Sequence, residues 1–105
     1  DEIEAVNAEF QKFGFSFYDL AECSPKSRKT KTACRQAVRC ILAYPVIRDE
    51  LYDKKQLPQK KIQTYTGLPL KLLEHHRNYI IAAVEILSGE YPCLEEYVSF
   101  IRKEE

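Results

Sequence analysis

Apolar residues recur along most of this chain with the three- and four-residue spacing that is typical of one buried helix face. No segment shows the sustained two-residue alternation of a half-buried strand, and glycine occurs only three times. The five prolines lie just where the helical patterns begin, a position that proline tolerates because its missing amide hydrogen has no helical partner there. The pattern therefore predicts an all-α fold, a compact multi-helix domain.

The N-terminal part of the chain predicts two helices. The first is amphipathic, covers residues 3–13 and ends at Gly14, and the second covers residues 17–22 with Ser16 as its cap. The apolar face of the first helix consists of Ile3, Val6, Phe10 and Phe13. The aromatic cluster over residues 10–18 is expected to lie in the core.

Three further helices are predicted over residues 30–43, 45–54 and 93–103, and a proline stands at or just before the start of the last two. Their inward-facing residues are predicted to be Ala33, Ala37, Cys40, Ile41 and Tyr44, then Val46, Ile47, Leu51 and Tyr52, and finally Leu94, Tyr97, Val98 and Ile101. No long linker, repeat or low-complexity segment interrupts the chain. We therefore expect one domain over residues 1–105.

The central segment, LPQKKIQTYTGLPLKLLEHHRNYIIAAVEILS, predicts a helix-turn-helix over about residues 58–88. Pro58 opens the first helix, and Gly67 ends it because glycine adopts a left-handed conformation at little cost. Pro69 starts the second helix, which is predicted to continue to Leu87, nineteen residues or about 28 Å. The residues predicted to bury the contact between the two helices are Ile62, Leu68, Leu73 and Ile80.

Polar side chains occupy the first turns of this second helix, whereas its remainder, YIIAAVEIL, is almost wholly apolar and predicts a core helix. A helix-turn-helix leaves the front of its second helix free to enter the major groove of DNA. There lysine can donate to guanine, glutamate can accept from cytosine, asparagine can pair with adenine, and leucine can pack on a thymine methyl group. The predicted base-contacting residues are Leu70, Lys71, Glu74, His75 and Asn78.

Positive side chains and free helix amides predict contacts with the DNA backbone, which fix register rather than sequence. One group begins the first motif helix, and a second group stands at the start of the helix over residues 30–43. In the second group each cation opposes the helix dipole at a cost of up to about 1 kcal/mol, so a binding role or a solvated basic loop explains it. The predicted phosphate-contacting residues are Gln59, Lys60, Lys61, Arg77, Arg28, Lys29 and Lys31.

Charge is strongly segregated along the chain although the formal net charge is zero. Residues 23–77 carry thirteen Lys and Arg against four Asp and Glu, a net charge of +9, and the remainder carries three against twelve, a net charge of −9. This segregation favours a basic face for a polyanion, with acidic ends facing solvent or a protein partner. The alternative is that the two signs mix again in the folded domain.

Other classes of function have little support in the sequence. Cys23, Cys34, Cys40 and Cys93 show no CxxC pair or zinc-finger spacing and are expected to be buried reduced thiols. There is no phosphate-binding glycine loop, nucleophile elbow or HExxH motif, so we expect no enzyme activity, catalytic residue, metal, cofactor or small-molecule substrate. No apolar run could cross a bilayer, and the acidic N-terminus lacks the features of a signal peptide. We expect a cytoplasmic domain and, because the chain contains no methionine, one excised from a larger protein.

The helix-turn-helix has alternatives, because two amphipathic helices joined by a glycine turn also occur in bundles that never bind DNA. Pro69 stands where a small capping Ser or Thr is usual, and Gln63 stands where alanine is usual. Adjacent His75 and His76 cannot both face one metal ion, and His76 is expected to be partly buried. A one-component repressor, which would require a dimer and a palindromic site, and a helical protein-docking module therefore remain open.

The chain resembles the C-terminal domain of bacterial sigma I, an alternative sigma factor of the sigma-70 superfamily. The resemblance covers nearly the whole chain and is carried by FGFSFYDLAECSPKSRKTK (13–31), LPQKKI (57–62), GLPLKLLEHHRNYIIA (67–82) and YPCLEEYV (91–98). The combination of SPK-x-R with a helix-turn-helix that continues into RNYIIA is far more specific than a helix-turn-helix alone.

The resemblance implies that this domain recognises the promoter −35 element, while a separate N-terminal domain recognises the −10 element and holds core RNA polymerase. It also implies control by a membrane-anchored anti-sigma factor, whose cytosolic N-terminal domain binds the sigma factor and keeps it inactive. Family members usually have Ser and Arg where this chain has Pro69 and Leu70, and often Thr where it has Leu72. These departures fall at base-contacting positions, so the promoter sequence is not fixed by the resemblance.

Overall fold

Two helices, α3 (Arg28–Ala43) and α7 (Arg77–Ser88), pack against each other at the centre of the fold. The computed structural model describes residues 1–98, apart from the side chains of Ala21 and Tyr97. Around the central pair lie α1 (Glu2–Gln11), α2 (Leu20–Cys23), α4 (Pro45–Lys54), α5 (Gln59–Thr66) and α6 (Leu70–His75), with 3₁₀ helices at Phe17–Asp19 and Glu95–Val98. The predicted all-α class is confirmed, since residues 1–98 contain helices and no strand.

The middle of helix α7 is buried on all sides. Every residue from Tyr79 to Ile86 is buried, because α1, α2, α3 and the Glu95–Val98 3₁₀ helix all pack against α7. Fully burying one isoleucine or valine side chain stabilises a fold by about 1.5–3 kcal/mol. The predicted core helix is therefore confirmed, and it contributes much of the apolar interior.

One buried carboxylate connects α7 to its neighbours. Glu85 is 8% exposed, and its two carboxylate oxygens accept hydrogen bonds from the hydroxyl groups of Tyr52 (2.6 Å) and Tyr91 (2.8 Å). Burial, with a further contribution from Glu85, raises the pKa of both tyrosines, so both remain neutral donors near neutral pH. These bonds join α4 and the C-terminal turn to the central helix.

Two helix starts can be compared with the cap residues that the sequence predicts. The start at Ser16 agrees with the prediction, and the start of α3 does not. The backbone amide of Ser16 donates to the Asp19 carboxylate (2.8 Å), as in a capping box. Helix α3 begins two residues earlier than predicted, because the Ser27 hydroxyl accepts from the Thr30 amide (3.2 Å) and caps it. The basic residues at 28–31 therefore belong to the first turn of α3.

Four predicted inward positions are exposed instead: Ile3 (38%), Tyr18 (76%), Tyr44 (43%) and Val46 (70%). Tyr44 leaves the buried face because it is the extended C-cap of α3 (φ −114°, ψ 100°), where helical periodicity ends. Its ring stacks instead on Tyr65 of α5, with the ring centroids 4.4 Å apart. The remaining inward predictions for α3 and α4 are confirmed for Ala33, Ala37, Cys40, Ile41, Ile47 and Leu51, and Tyr52 is half-buried.

The predicted C-terminal helix over residues 93–103 is observed in part. The chain turns and forms the 3₁₀ helix Glu95–Val98, with Leu94 and Val98 buried as predicted. The backbone amides of Cys93 (3.0 Å) and Leu94 (3.2 Å) donate to the Glu2 carboxylate at the start of α1. Ile101 and the side chain of Tyr97 lie outside the described residues.

Candidate nucleic-acid interface

Two helices joined by a sharp turn form the candidate site. Helix α5 ends at Gly67, whose φ of 76° is left-handed, and the Gly67 amide donates to the Gln63 carbonyl (2.7 Å). The Thr66 hydroxyl donates to the Ile62 carbonyl (2.7 Å) and accepts from the Leu68 amide (3.2 Å), which holds the turn closed. The predicted bend at Gly67 is confirmed.

Apolar side chains fix the two helices against the domain. Ile62 of α5, Leu73 of α6 and Ile80 of α7 are fully buried, and Leu68 in the turn is 9% exposed. These are the four residues predicted to bury the interhelical contact. Because α5 also packs on α3, the site is held against the central helices.

The second helix of the motif is broken, which corrects the prediction of one nineteen-residue helix. Helix α6 ends at His75, His76 adopts a turn conformation (φ −105°, ψ 21°), and α7 begins at Arg77. The six residues of α6 therefore span only about 9 Å. The buried residues Leu73 and Ile80 lie on either side of the break and keep a helical spacing across it, so periodicity alone does not reveal it.

Contacts with the N-terminal region surround the break at His76. The His76 imidazole is half-buried and interacts with the backbone at Cys23, and burial lowers the pKa of His76. Its neighbour Arg77 reaches the end of α1, where its Nη2 donates to the Phe13 carbonyl (3.2 Å). These long-range contacts settle the direction of α7, and the predicted partial burial of His76 is confirmed.

The outer face of α6 carries the polar side chains that the sequence singled out. Lys71, Glu74 and His75 are exposed, whereas Leu70 is half-buried and packs against the core. Gln59 at the start of α5 lies across the turn, and its Nε2 donates to Oε2 of Glu74. The structure therefore brings together one predicted phosphate-contacting residue and one predicted base-contacting residue.

Arg77 and Asn78 are engaged with other residues of the chain. Arg77 Nη1 donates to Asn78 Oδ1 (2.8 Å), and both side chains are half-buried. With its other nitrogen on the Phe13 carbonyl, Arg77 has a bracing contact that the sequence did not indicate. Contact of either residue with DNA stays a prediction and would require these side chains to exchange partners.

The remaining cations differ in their surroundings. Lys60 is exposed on α5, whereas the ammonium group of Lys61 forms an ion pair with Glu50 of α4. The hydrogen bond from Lys61 lowers the pKa of Glu50, which therefore stays ionised near neutral pH. Arg28 and Lys29 are exposed in the first turn of α3, and Lys31 is half-buried.

Sequence reasoning missed an apolar groove beside α5. The groove has a volume of about 460 Å³ and lies where the start of α4 meets α5. Tyr65 and Val46 are 58% and 70% exposed there, and Lys60 lies at the same groove. The predicted end of α3 at residue 43 could have indicated that Tyr44 leaves the buried face, but its stacking on Tyr65 had no signal in the sequence.

The four cysteines are free thiols. Cys34 and Cys40 are buried as expected, Cys23 is half-buried, and Cys93 is exposed, which corrects the expectation that all four are buried. Burial raises the pKa of Cys34 to about 12, so this thiol is not a nucleophile at neutral pH. Among the described residues, no group of three His, Cys, Asp or Glu side chains could hold a metal ion. No helix within residues 1–98 has the length and apolar character needed to cross a membrane.

Comparison with known proteins identifies relatives along nearly the whole chain, although no family model matches it. RNA polymerase sigma factor SigI7 of Acetivibrio thermocellus is 33% identical over 99 residues, which are 94% of this chain and 42% of that protein. RNA polymerase sigma factors SigI of Bacillus anthracis and Bacillus subtilis are 34% and 31% identical, each over 98 residues, which are 93% of this chain. Those residues make up 41% and 39% of the two proteins, so this chain spans about two fifths of the length of the curated relatives it matches. The resemblance to sigma I is therefore confirmed: nearly the whole of this chain is similar to part of the SigI RNA polymerase sigma factors.

Proposed function

We propose that this domain recognises the −35 element of a promoter and thereby helps an alternative sigma factor to direct transcription initiation by RNA polymerase. One observation carries the proposal: in a chain that is similar to SigI sigma factors, α6 turns Lys71, Glu74 and His75 outward while Leu73 anchors it in the core. A short helix held in this way can present its first turns to the major groove. The domain would have no catalytic role of its own.

Base preference would come from α6. The Lys71 ammonium group can donate to guanine, the Glu74 carboxylate can accept from cytosine or adenine, and His75 can donate or accept. Leu70 and Asn78 flank this face and are half-buried, so they would contribute less. Because α6 has only six residues, we expect it to cover few base pairs.

Affinity would come from contacts with the phosphate backbone. Lys60, Arg28 and Lys29 are exposed and need no rearrangement, whereas Lys61 would leave Glu50 to bind a phosphate. Each phosphate neutralised lowers the slope of log affinity against log salt concentration by about 0.9. Binding should therefore weaken steeply with salt, despite the zero net charge of the chain.

Core RNA polymerase and an anti-sigma factor are the protein partners that we propose for the whole sigma factor. The chain spans 42% of the SigI7 relative, so a separate domain would hold core polymerase and recognise the −10 element. The cytosolic N-terminal domain of a membrane-anchored anti-sigma factor would sequester the protein. Both interactions require a cytoplasmic location.

The test measures binding of the domain to labelled duplexes by fluorescence anisotropy. A duplex is first selected by the wild-type domain from a pool that is randomised within a promoter-length segment. Lys71→Ala and His75→Ala should each relax preference for the selected sequence, by up to about 1–3 kcal/mol for a bidentate contact and less for a single one. Lys60→Ala should weaken every duplex by a similar factor.

A control for the loss of one exposed lysine is Lys12→Ala, because Lys12 belongs to neither α5 nor α6 and pairs with Glu9 of α1. This variant should bind the selected duplex like the wild type. If the wild type selects no sequence, or if none of the three motif substitutions changes binding, the proposal fails. A dimer on a palindromic selected site would instead favour a one-component repressor.

A protein-docking function is the second candidate, and the exposed groove at Tyr44, Val46 and Tyr65 favours it. Exposed apolar side chains grouped in this way are typical of interaction sites. A competition experiment separates the cases. An anti-sigma domain that binds without displacing promoter DNA would assign docking to a surface other than α6, whereas displacement would indicate that it masks the DNA-binding face.

A further inference from the structure

We propose that Gln59 is a positioning residue, which holds the carboxylate of Glu74 in place for one base pair and so sets base preference without touching a base. The inference rests on the proposed function, because it concerns the same surface. The two residues come from different helices: Gln59 is the first residue of α5, and Glu74 lies near the end of α6. The Gln59 side-chain amide bridges them by donating to Oε2 of Glu74.

Glu74 is the predicted base-contacting residue whose chemistry excludes the most bases. An ionised carboxylate only accepts hydrogen bonds. In the major groove it is attracted by the amino groups of cytosine and adenine, and it is repelled by guanine O6 and N7 and by thymine O4. A fixed carboxylate therefore selects by rejecting wrong partners as much as by binding the right one.

The rejection requires that Glu74 stays in one position. Its side chain is exposed, and an exposed glutamate that is not held samples several rotamers and can turn away from an unfavourable base. The bond from Gln59 removes this freedom and leaves Oε1 to accept from DNA. Because Ile62 and Leu73 are fully buried, the spacing between the two helices that carry the pair is itself fixed.

The chemical type of the holding group supports this role. A neutral amide fixes the carboxylate without cancelling its charge, so the repulsion of guanine and thymine is retained. A lysine at the same place would neutralise Glu74 and weaken that repulsion. Gln59 keeps a second N–H group that could reach a phosphate, and the two roles predict different results.

The experiment uses the duplex that the wild-type domain selects, with each position replaced in turn by the other three base pairs. Wild type, Gln59→Ala, Glu74→Ala and the double variant are compared by anisotropy. At one position the wild type should prefer cytosine or adenine by about tenfold or more. Glu74→Ala should abolish that preference, Gln59→Ala should reduce it by about three- to tenfold, and the double variant should match Glu74→Ala.

Two further variants make the result specific. Gln56→Ala removes the same side chain from an exposed position three residues earlier and should leave every preference unchanged. Gln59→Glu keeps the size of the side chain but places two carboxylates together, so it should relax the same base pair at least as much as Gln59→Ala. It serves as the test if the alanine variant does not fold.

Three outcomes would overturn the inference and leave the proposed function intact. In the first outcome Gln59→Ala weakens all duplexes equally, which would make Gln59 a phosphate contact. In the second, Gln59→Ala changes nothing. In the third, Glu74→Ala leaves the preference at every position unchanged. In each case the wild type still selects its duplex, whereas a wild type without any preference would overturn the proposed function and this inference together.

Discussion

Helices α6 and α7 are neighbours in the sequence and were predicted as one helix, yet they lie in different environments. In α7 every residue from Tyr79 to Ile86 is buried, whereas in α6 only Leu73 is buried. The turn at His76 separates the two. Helix α7 therefore anchors the domain, whereas α6 carries exposed polar side chains. Substitutions in α7 should change the free energy of unfolding, and substitutions in α6 should change DNA binding.

The largest expected effect follows from Ile80→Ala in α7. Ile80 is fully buried, and truncation of such a side chain costs about 2–5 kcal/mol because it removes contacts and leaves a cavity. Urea unfolding should show this loss as a lower midpoint. Under conditions where the variant stays folded, its preference among DNA duplexes should match that of the wild type.

Lys71→Ala in α6 should have the opposite effects to Ile80→Ala. Lys71 is exposed, so its removal should change the free energy of unfolding by no more than about 0.5 kcal/mol while it relaxes base preference. Two results would contradict this division of roles between α7 and α6. One is a relaxed base preference in Ile80→Ala under conditions where the variant is fully folded, and the other is a strong loss of stability in Lys71→Ala.

Alkaline pH should also lower the free energy of unfolding through a residue of α7. Tyr79 in α7 is 2% exposed, and burial raises its pKa above the value of about 10 in an unfolded chain. The stability that comes from neutral Tyr79 is therefore complete below pH about 10 and is lost as pH rises toward the folded-state pKa. Between the two values, this residue alone should lower the free energy of unfolding by about 1.4 kcal/mol per pH unit.

Tyr79→Phe should reduce the alkaline slope and leave the contributions of Tyr52 and Tyr91, as measured by urea unfolding between pH 9 and about 11. The control is Tyr18→Phe, because Tyr18 is 76% exposed and its hydroxyl meets solvent in the folded domain. An equal slope in Tyr79→Phe and in the wild type would contradict the prediction. An unchanged slope in Tyr18→Phe is expected.

The junction between the two helices should respond to acid. Burial, followed by the neighbouring His75, lowers the pKa of His76 below its unfolded value of about 6.5. The unfolded chain therefore takes up a proton first as pH falls, so the contribution of neutral His76 is present above pH about 6.5 and decreases below it. Thermal unfolding between about pH 5 and pH 7 should show His76→Gln to be less acid-sensitive than the wild type.

His75→Gln is the matched control, because the two imidazoles are adjacent with their ring centroids 4.7 Å apart, yet His75 is exposed. It should change base preference and retain most of the acid sensitivity. The opposite assignment, with His75→Gln removing the acid sensitivity, would mean that the break at His76 is not stabilised by burial of its ring.

Much of the motif could be predicted from the sequence because local chemistry decides it. Gly67 supplies the left-handed turn, Pro69 the extended residue before α6, and Ile62 and Leu73 the buried contact. Exposure of Lys71, Glu74 and His75 follows from the same helical spacing. These features depend on residues within a few positions of one another.

The parts that could not be predicted depend on residues that are distant in sequence. The break at His76 lies where its imidazole is half-buried and where Arg77 bonds to the Phe13 carbonyl, 64 positions away. The end of α3 at Ala43 was predicted, but the stacking of Tyr44 on Tyr65 depends on the packing of α5 beside α3. Periodicity gives the face that a helix buries, but not the point at which tertiary contacts end the helix.

The smallest expected effect concerns the ion pair between Glu50 of α4 and Lys61 of α5. In Glu50→Gln the Lys61 ammonium group loses its partner and one negative charge disappears near the proposed DNA surface. Affinity for every duplex should rise by on the order of threefold at low salt, because a phosphate no longer competes with a carboxylate for Lys61. Preference among sequences should stay constant, since phosphate contacts carry no base information.

Combining Glu50→Gln with Lys61→Ala should remove most of the gain in affinity. A gain that persists in the double variant would indicate a general charge effect, and a gain confined to one sequence would place Lys61 against a base.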